Sequence, residues 1–212
     1  VGALLALSRV IDAINERIGK WVAWAILVAV VISTANAIIR KVFDTSSNAW
    51  LEAQWYLFGA VFMLCSAWTL LSNEHIRIDI VNNAMPNWMK QAVEVVGHAL
   101  FLLPFTIMMV VSSYPFVMIS YVQNEQSQNA GGLVVWPSKA IILIGFIMLT
   151  AQGISELIKR IAIIQGRIPD VHAHGGHAAA AEAEAERLLQ AAKEQGYLAD
   201  ASPAGTPPAP KT

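Results

Sequence analysis

At 212 residues, of which 56% are hydrophobic and only 14% charged, the chain is too apolar for an ordinary water-soluble domain and belongs in a membrane. A formal net charge of −1, with no basic patch or stripe to neutralise phosphates, argues against a nucleic-acid partner. The single cysteine, Cys65, cannot form an intrachain disulfide and lies inside an apolar run, so it reads as a small buried hydrophobe.

The first element precedes the first apolar run. In "LLALSRVIDAINERIGK", Leu4, Leu7, Val10, Ile11, Ile14 and Ile18 recur at helical spacing, with Arg9, Asp12, Glu16 and Arg17 on the other side. This predicts an amphipathic helix over residues 1–20, lying on the membrane surface or docked on a partner. Charges interrupt its apolar stretch, so it is a poor match to a cleavable signal peptide.

Four runs then supply the roughly 20 apolar residues that a bilayer core about 30 Å thick requires of a helix. They cover residues 21–39, 50–71, 99–121 and 133–157. Each must be helical, because backbone amides facing lipid have no other partner. The expected fold is an all-α integral membrane protein with four transmembrane helices, its membrane domain covering residues 21–169. No internal repeat is visible.

With four spans, both termini share a side. That side holds Arg9, Arg17, Lys20, Arg77, Lys90, Lys159, Arg160 and Arg167, against Arg40, Lys41 and Lys139 on the other, so both termini are expected in the cytoplasm. Trp21, Trp50, Trp88 and Trp136 fall near span ends, where indoles favour the interface. Between the second and third spans, "NEHIRIDI" alternates His75, Arg77 and Asp79 with isoleucines and reads as a surface connector or docking segment.

The third segment is longer than a span needs. A helix from Pro86 to about Gln123 would reach about 57 Å at 1.5 Å per residue, so part of it is expected to lie along the surface. "NWMKQAVEVV" is the candidate for that second interfacial helix, and Pro104 and Pro115 are expected to bend the spanning part. Beyond the fourth span, residues 170–212 are rich in Ala, Glu, Gly and Pro and predict a flexible cytoplasmic tail.

Ionisable groups near the middle of a span would mark a carrier, and this chain has almost none. Glu52 and Lys139 fall near the outer ends of their helices and Glu156 near an inner end, where side chains can reach headgroups. Glu52 has two readings: an ion pair with Arg40 or Lys41 or with a partner protein, or a first-turn acid on the helix dipole after an Asn48 cap. His98 lacks a second histidine within a span, which favours a hydrogen-bonded histidine over a haem ligand. His172, His174 and His177 sit in a Gly- and Ala-rich setting unsuited to a designed metal site. No cofactor is expected.

Three blocks, "LEAQWYLFGAVFML", "NEHIRIDI" and "GGLVVWPSKAIILIGFIMLTAQGISELIKR", together resemble the DctQ-type small membrane subunit of tripartite ATP-independent periplasmic (TRAP) transporters, from about Arg9 to Arg167. The resemblance implies a four-helix subunit of the bacterial inner membrane. Its implied partners are a large multispanning DctM-type subunit that carries the substrate and sodium sites, a periplasmic substrate-binding protein that delivers an organic solute, and phospholipids. Glu52, Gln54 and Trp55 match the start of the family's second helix, His75, Arg77 and Asp79 its polar connector, and Trp136 and Pro137 the start of its last helix. With Arg40, these are the candidates for subunit contact or membrane positioning; none is a catalytic position. The rival readings are a self-sufficient small channel or carrier acting as a homo-oligomer, and a membrane-bound redox subunit.

Overall fold

The computed structural model describes residues 2–45, 47–72 and 86–168. Among them every regular element is helical: α1 (Gly2–Ala23), α2 (Ala25–Phe43), α3 (Asn48–Leu71), α4 (Asn87–Val96), a π-helical turn (Gly97–Leu102), α5 (Leu103–Val122) and α6 (Trp136–Ile164). Four helical stretches, Gly2–Phe43, Asn48–Leu71, Trp88–Val122 and Trp136–Ile164, are long and apolar enough to cross a membrane. The connector with His75, Arg77 and Asp79, and the tail over 170–212, lie outside the described residues.

Local chemistry sets the element ends. Between α1 and α2 only Trp24 departs from regular α-helix, and its N–H bonds three residues back to the Trp21 carbonyl. Helix α2 stops where Asp44 takes a left-handed conformation (φ 49°), which a short polar side chain tolerates better than a bulky one. Ser47, in extended conformation, stands at the N-cap position of α3 without a side-chain capping bond. The expected cap, Asn48, is instead the first helical residue and donates its amide to the Ala130 carbonyl at 2.9 Å.

From Asn87 to Val122 the chain is one continuous helical run, and its irregularity is a widened turn. Pro104 has no N–H to give the Leu100 carbonyl, and its ring would clash with that carbonyl in a regular α-helix. The π turn immediately before it relieves both, and Leu103 N–H bonds five residues back to His98 O. His98 lies in this turn with Nδ1 at 2.7 Å from the Glu94 carbonyl, as a hydrogen-bonded histidine.

Helix α6 is central, packing against α1, α3, α4 and α5, while α2 packs on α3. Small residues permit the close approaches. A Cβ on Gly145 would stand 2.9 Å from the Met63 backbone of α3, and one on Gly19 would stand 2.8 Å from the Trp68 Cβ. Gly153 receives Leu102 and Leu103, the residues on either side of the boundary between the π turn and α5.

Candidate subunit interface

Polar side chains gather at the two ends of α6. At its N-terminal end, residues 123–135 fold back on themselves: Gln126 pairs antiparallel with Val134, and Ser127 N–H and Val135 N–H bond to Leu133 O and Glu125 O. Glu52 of α3 reaches into this loop and is only 4% exposed. Its carboxylate accepts the Asn129 side-chain amide at 2.8 Å, the Leu133 N–H at 2.6 Å and the Ser127 hydroxyl. Gly132 leaves the room for it, since a Cβ there would stand 2.7 Å from Glu52 Oε1 and 2.6 Å from Ser127 Cβ.

The helix supplies this grip by register. Asn48, Glu52 and Tyr56 are four residues apart, so they share one face of α3, and Asn48 and Tyr56 donate to the Ala130 and Val134 carbonyls. Lys139 closes the loop from the α6 side by pairing with Glu125, and its ammonium lies 4.0 Å from the Phe116 ring centre. The hydrogen bond from Lys139 holds the Glu125 carboxyl below its ordinary titration range. Trp136 meets Tyr121 edge-to-face at 5.4 Å, so the start of α6 is pinned to the end of α5.

At the other end of α6, Gln152, Ser155, Glu156 and Lys159 fall on one face at helical spacing, opposite Ser8, Asp12 and Asn15 of α1. Asn15 donates to the Gln152 side-chain oxygen at 2.7 Å, and the Gln152 amide donates to Asp12 at 2.9 Å and Glu156 at 3.0 Å. Ser155 donates to Asp12 at 2.7 Å and lies 2.6 Å from the Ser8 hydroxyl. Lys159 bridges Asp12 and Glu156, and Arg160 Nε donates to Glu94 of α4 at 2.8 Å.

Three expectations are corrected here. Glu156 does not reach out to headgroups; it is buried between Gln152 and Lys159. Nor does a place near a span end leave charge exposed, because Glu52, Glu156 and Arg160 are all buried. Each has a partner within the chain, which is what makes a buried charge tolerable. Among the described residues Glu52 pairs with neither Arg40 nor Lys41; its carboxylate serves loop donors rather than the α3 dipole.

The side of α1 opposite its apolar stripe divides in two. Ser8, Asn15 and Gly19 are buried against α6 and α3, and Asp12 joins them in the network. Arg9, Arg17 and Lys20 are exposed, and Leu4, Leu7, Val10 and Ile14 form a third, exposed sector. At about 100° per residue the three sectors each take roughly a third of the circumference. The contacts with Gln152, Ser155, Cys65 and Trp68 lie about 24–30 Å along α6 and α3 from their N-terminal ends, at 1.5 Å per residue. A hydrocarbon core about 30 Å thick takes up a similar length of helix.

The remaining candidates do not form one cluster. Arg40 is exposed in the last turn of α2, Gln54 is half-buried, and Trp55 is 62% exposed. Trp55 belongs to an outward stripe of α3 with Leu51, Phe58 and Phe62. Trp136 and Pro137 are half-buried in the first turn of α6, where a proline fits because its missing N–H has no helical acceptor. Sequence reasoning missed Ser127, Asn129 and Gly132 around Glu52, and the docking role of Ser8, Asp12, Asn15, Gln152 and Ser155. For the second group a signal existed: polar residues at i, i+3, i+4 and i+7 within an apolar helix.

A family model described as "Tripartite ATP-independent periplasmic transporters, DctQ component" matches residues 11–162. No curated protein and no solved structure matches the chain.

Proposed function

The chain belongs to the DctQ family, the small membrane component of TRAP transporters, and from that premise we propose that it is the non-catalytic scaffold of its transporter. In this reading it anchors a DctM-type large subunit in the bacterial inner membrane, with both termini cytoplasmic. The large subunit performs sodium-coupled uptake of an organic solute, such as an organic acid, delivered by a periplasmic binding protein.

One observation carries the reading. Each buried charged side chain among the described residues is bound by a partner in the same chain, so none is held in reserve for a solute or coupling ion. The bonds tie α1 to α6, α4 to α6 and α3 to the α5–α6 loop, as a rigid support requires. The outward stripe Leu51, Trp55, Phe58 and Phe62 and the exposed Arg40 are the proposed contacts with the large subunit.

Co-purification and reconstitution test this. The chain is expected to co-purify with the large subunit, and vesicles containing the chain alone are expected to accumulate no solute under a sodium gradient. Accumulation by the chain alone would establish the rival self-sufficient carrier.

A further inference from the structure

The elbow between α1 and α2 carries a patch that neither the docking of α1 nor the scaffold reading uses. Arg17, Lys20, Trp21 and Trp24 occur at i, i+3, i+4 and i+7, so they share one face where α1 ends. All four are exposed, Trp21 at 75% and Trp24 at 66%. Glu16 pairs with Lys20, which leaves the patch with one net positive charge from Arg17. Beyond Trp24 the surface opens into a shallow recess of about 380 Å³ lined by Ala23, Trp24, Ile26, Leu27 and Val30.

We infer that this elbow is a binding site for one anionic glycerophospholipid, with its phosphate at Arg17 and Lys20, its glycerol region against Trp21 and Trp24, and one acyl chain in the recess along α2. The order of chemistry matches the molecule: cations, then indoles with an N–H and an apolar ring, then a wholly apolar trough. The lengths agree as well, because α1 meets α6 and α3 about one hydrocarbon thickness from their N-terminal ends, and the 19 residues of α2 beyond the elbow are enough to cross such a core. The net positive charge selects an anionic over a zwitterionic headgroup. This assignment does not depend on which solute the transporter carries.

Thermal unfolding of the full-length chain in detergent provides the test, with phosphatidylglycerol, phosphatidylcholine or inorganic phosphate added in turn. Phosphatidylglycerol is expected to raise Tm more than phosphatidylcholine does, and inorganic phosphate to leave it unchanged. The exposed double variant Arg17→Gln/Lys20→Gln is expected to lose most of the phosphatidylglycerol excess. Arg9→Gln, whose cation is two turns away from Arg17, is expected to keep it. Equal responses to the two lipids, an excess that survives in the double variant, or the same rise with inorganic phosphate would each overturn the assignment.

Discussion

The two ends of α6 solve the same problem in opposite ways. At the loop end a single carboxylate, Glu52, collects three donors from residues 127–133. At the α1 end the polarity is spread over Ser8, Asp12, Asn15, Gln152, Ser155, Glu156 and Lys159, whose hydrogen bonds overlap. A convergent arrangement fails all at once when its acceptor is removed, whereas a distributed one loses one bond at a time. The comparison therefore predicts different responses to single substitutions.

The largest effect is expected from Glu52→Ala, which strips the Leu133 N–H, the Asn129 amide and the Ser127 hydroxyl of their common acceptor. Limited proteolysis should then cut within residues 126–133 while the helices stay protected. Retained protection of the loop would break the comparison. Gln152→Ala is next: it removes bonds to Asn15, Asp12 and Glu156 in a fully buried setting, at about 2–3 kcal/mol. A double-mutant cycle with Asn15→Ala should show a coupling of about 1 kcal/mol.

Gly132→Ala sharpens the loop side, since its new methyl would crowd both Ser127 and Glu52 at a cost of about 1–3 kcal/mol in unfolding experiments. Ser8→Ala should cost only about 1 kcal/mol, because Ser155 keeps its bond to Asp12.

The smallest effect is on pH dependence. The Glu125 carboxyl is held low by Lys139, so its contribution is fully present above the ordinary carboxylate range and is lost as pH falls through the depressed value. Lys139→Gln should move the Glu125 titration, followed by carboxyl NMR, back up towards that ordinary range. An unchanged titration would show that Lys139 is not the cause.

The sequence reveals what depends on run length and local period. Four membrane-length stretches, the amphipathic pattern of α1 and the excess length before Gln123 are all visible without coordinates. Partners distant along the chain are not visible. Glu52 meets donors more than seventy residues away, and Ser8 meets a residue 147 positions on. The division of the polar side of α1 is hidden for the same reason: Asp12 and Arg9 look alike in a helical projection, and only the arrival of α6 sends one inward and leaves the other outside. Pro104 announces an irregularity, but its form, a π turn that brings Leu102 and Leu103 onto Gly153, depends on packing.

The central claim is that this subunit is a rigid scaffold for its transporter, and a distance across it tests that directly. Spin labels on the exposed positions Arg9 and Gln128, in a Cys65→Ala background, would report the separation between the α1 end and the loop end within the assembled transporter. The account predicts the same distance distribution with and without substrate and coupling ion. A displaced or newly bimodal distribution during transport would contradict it.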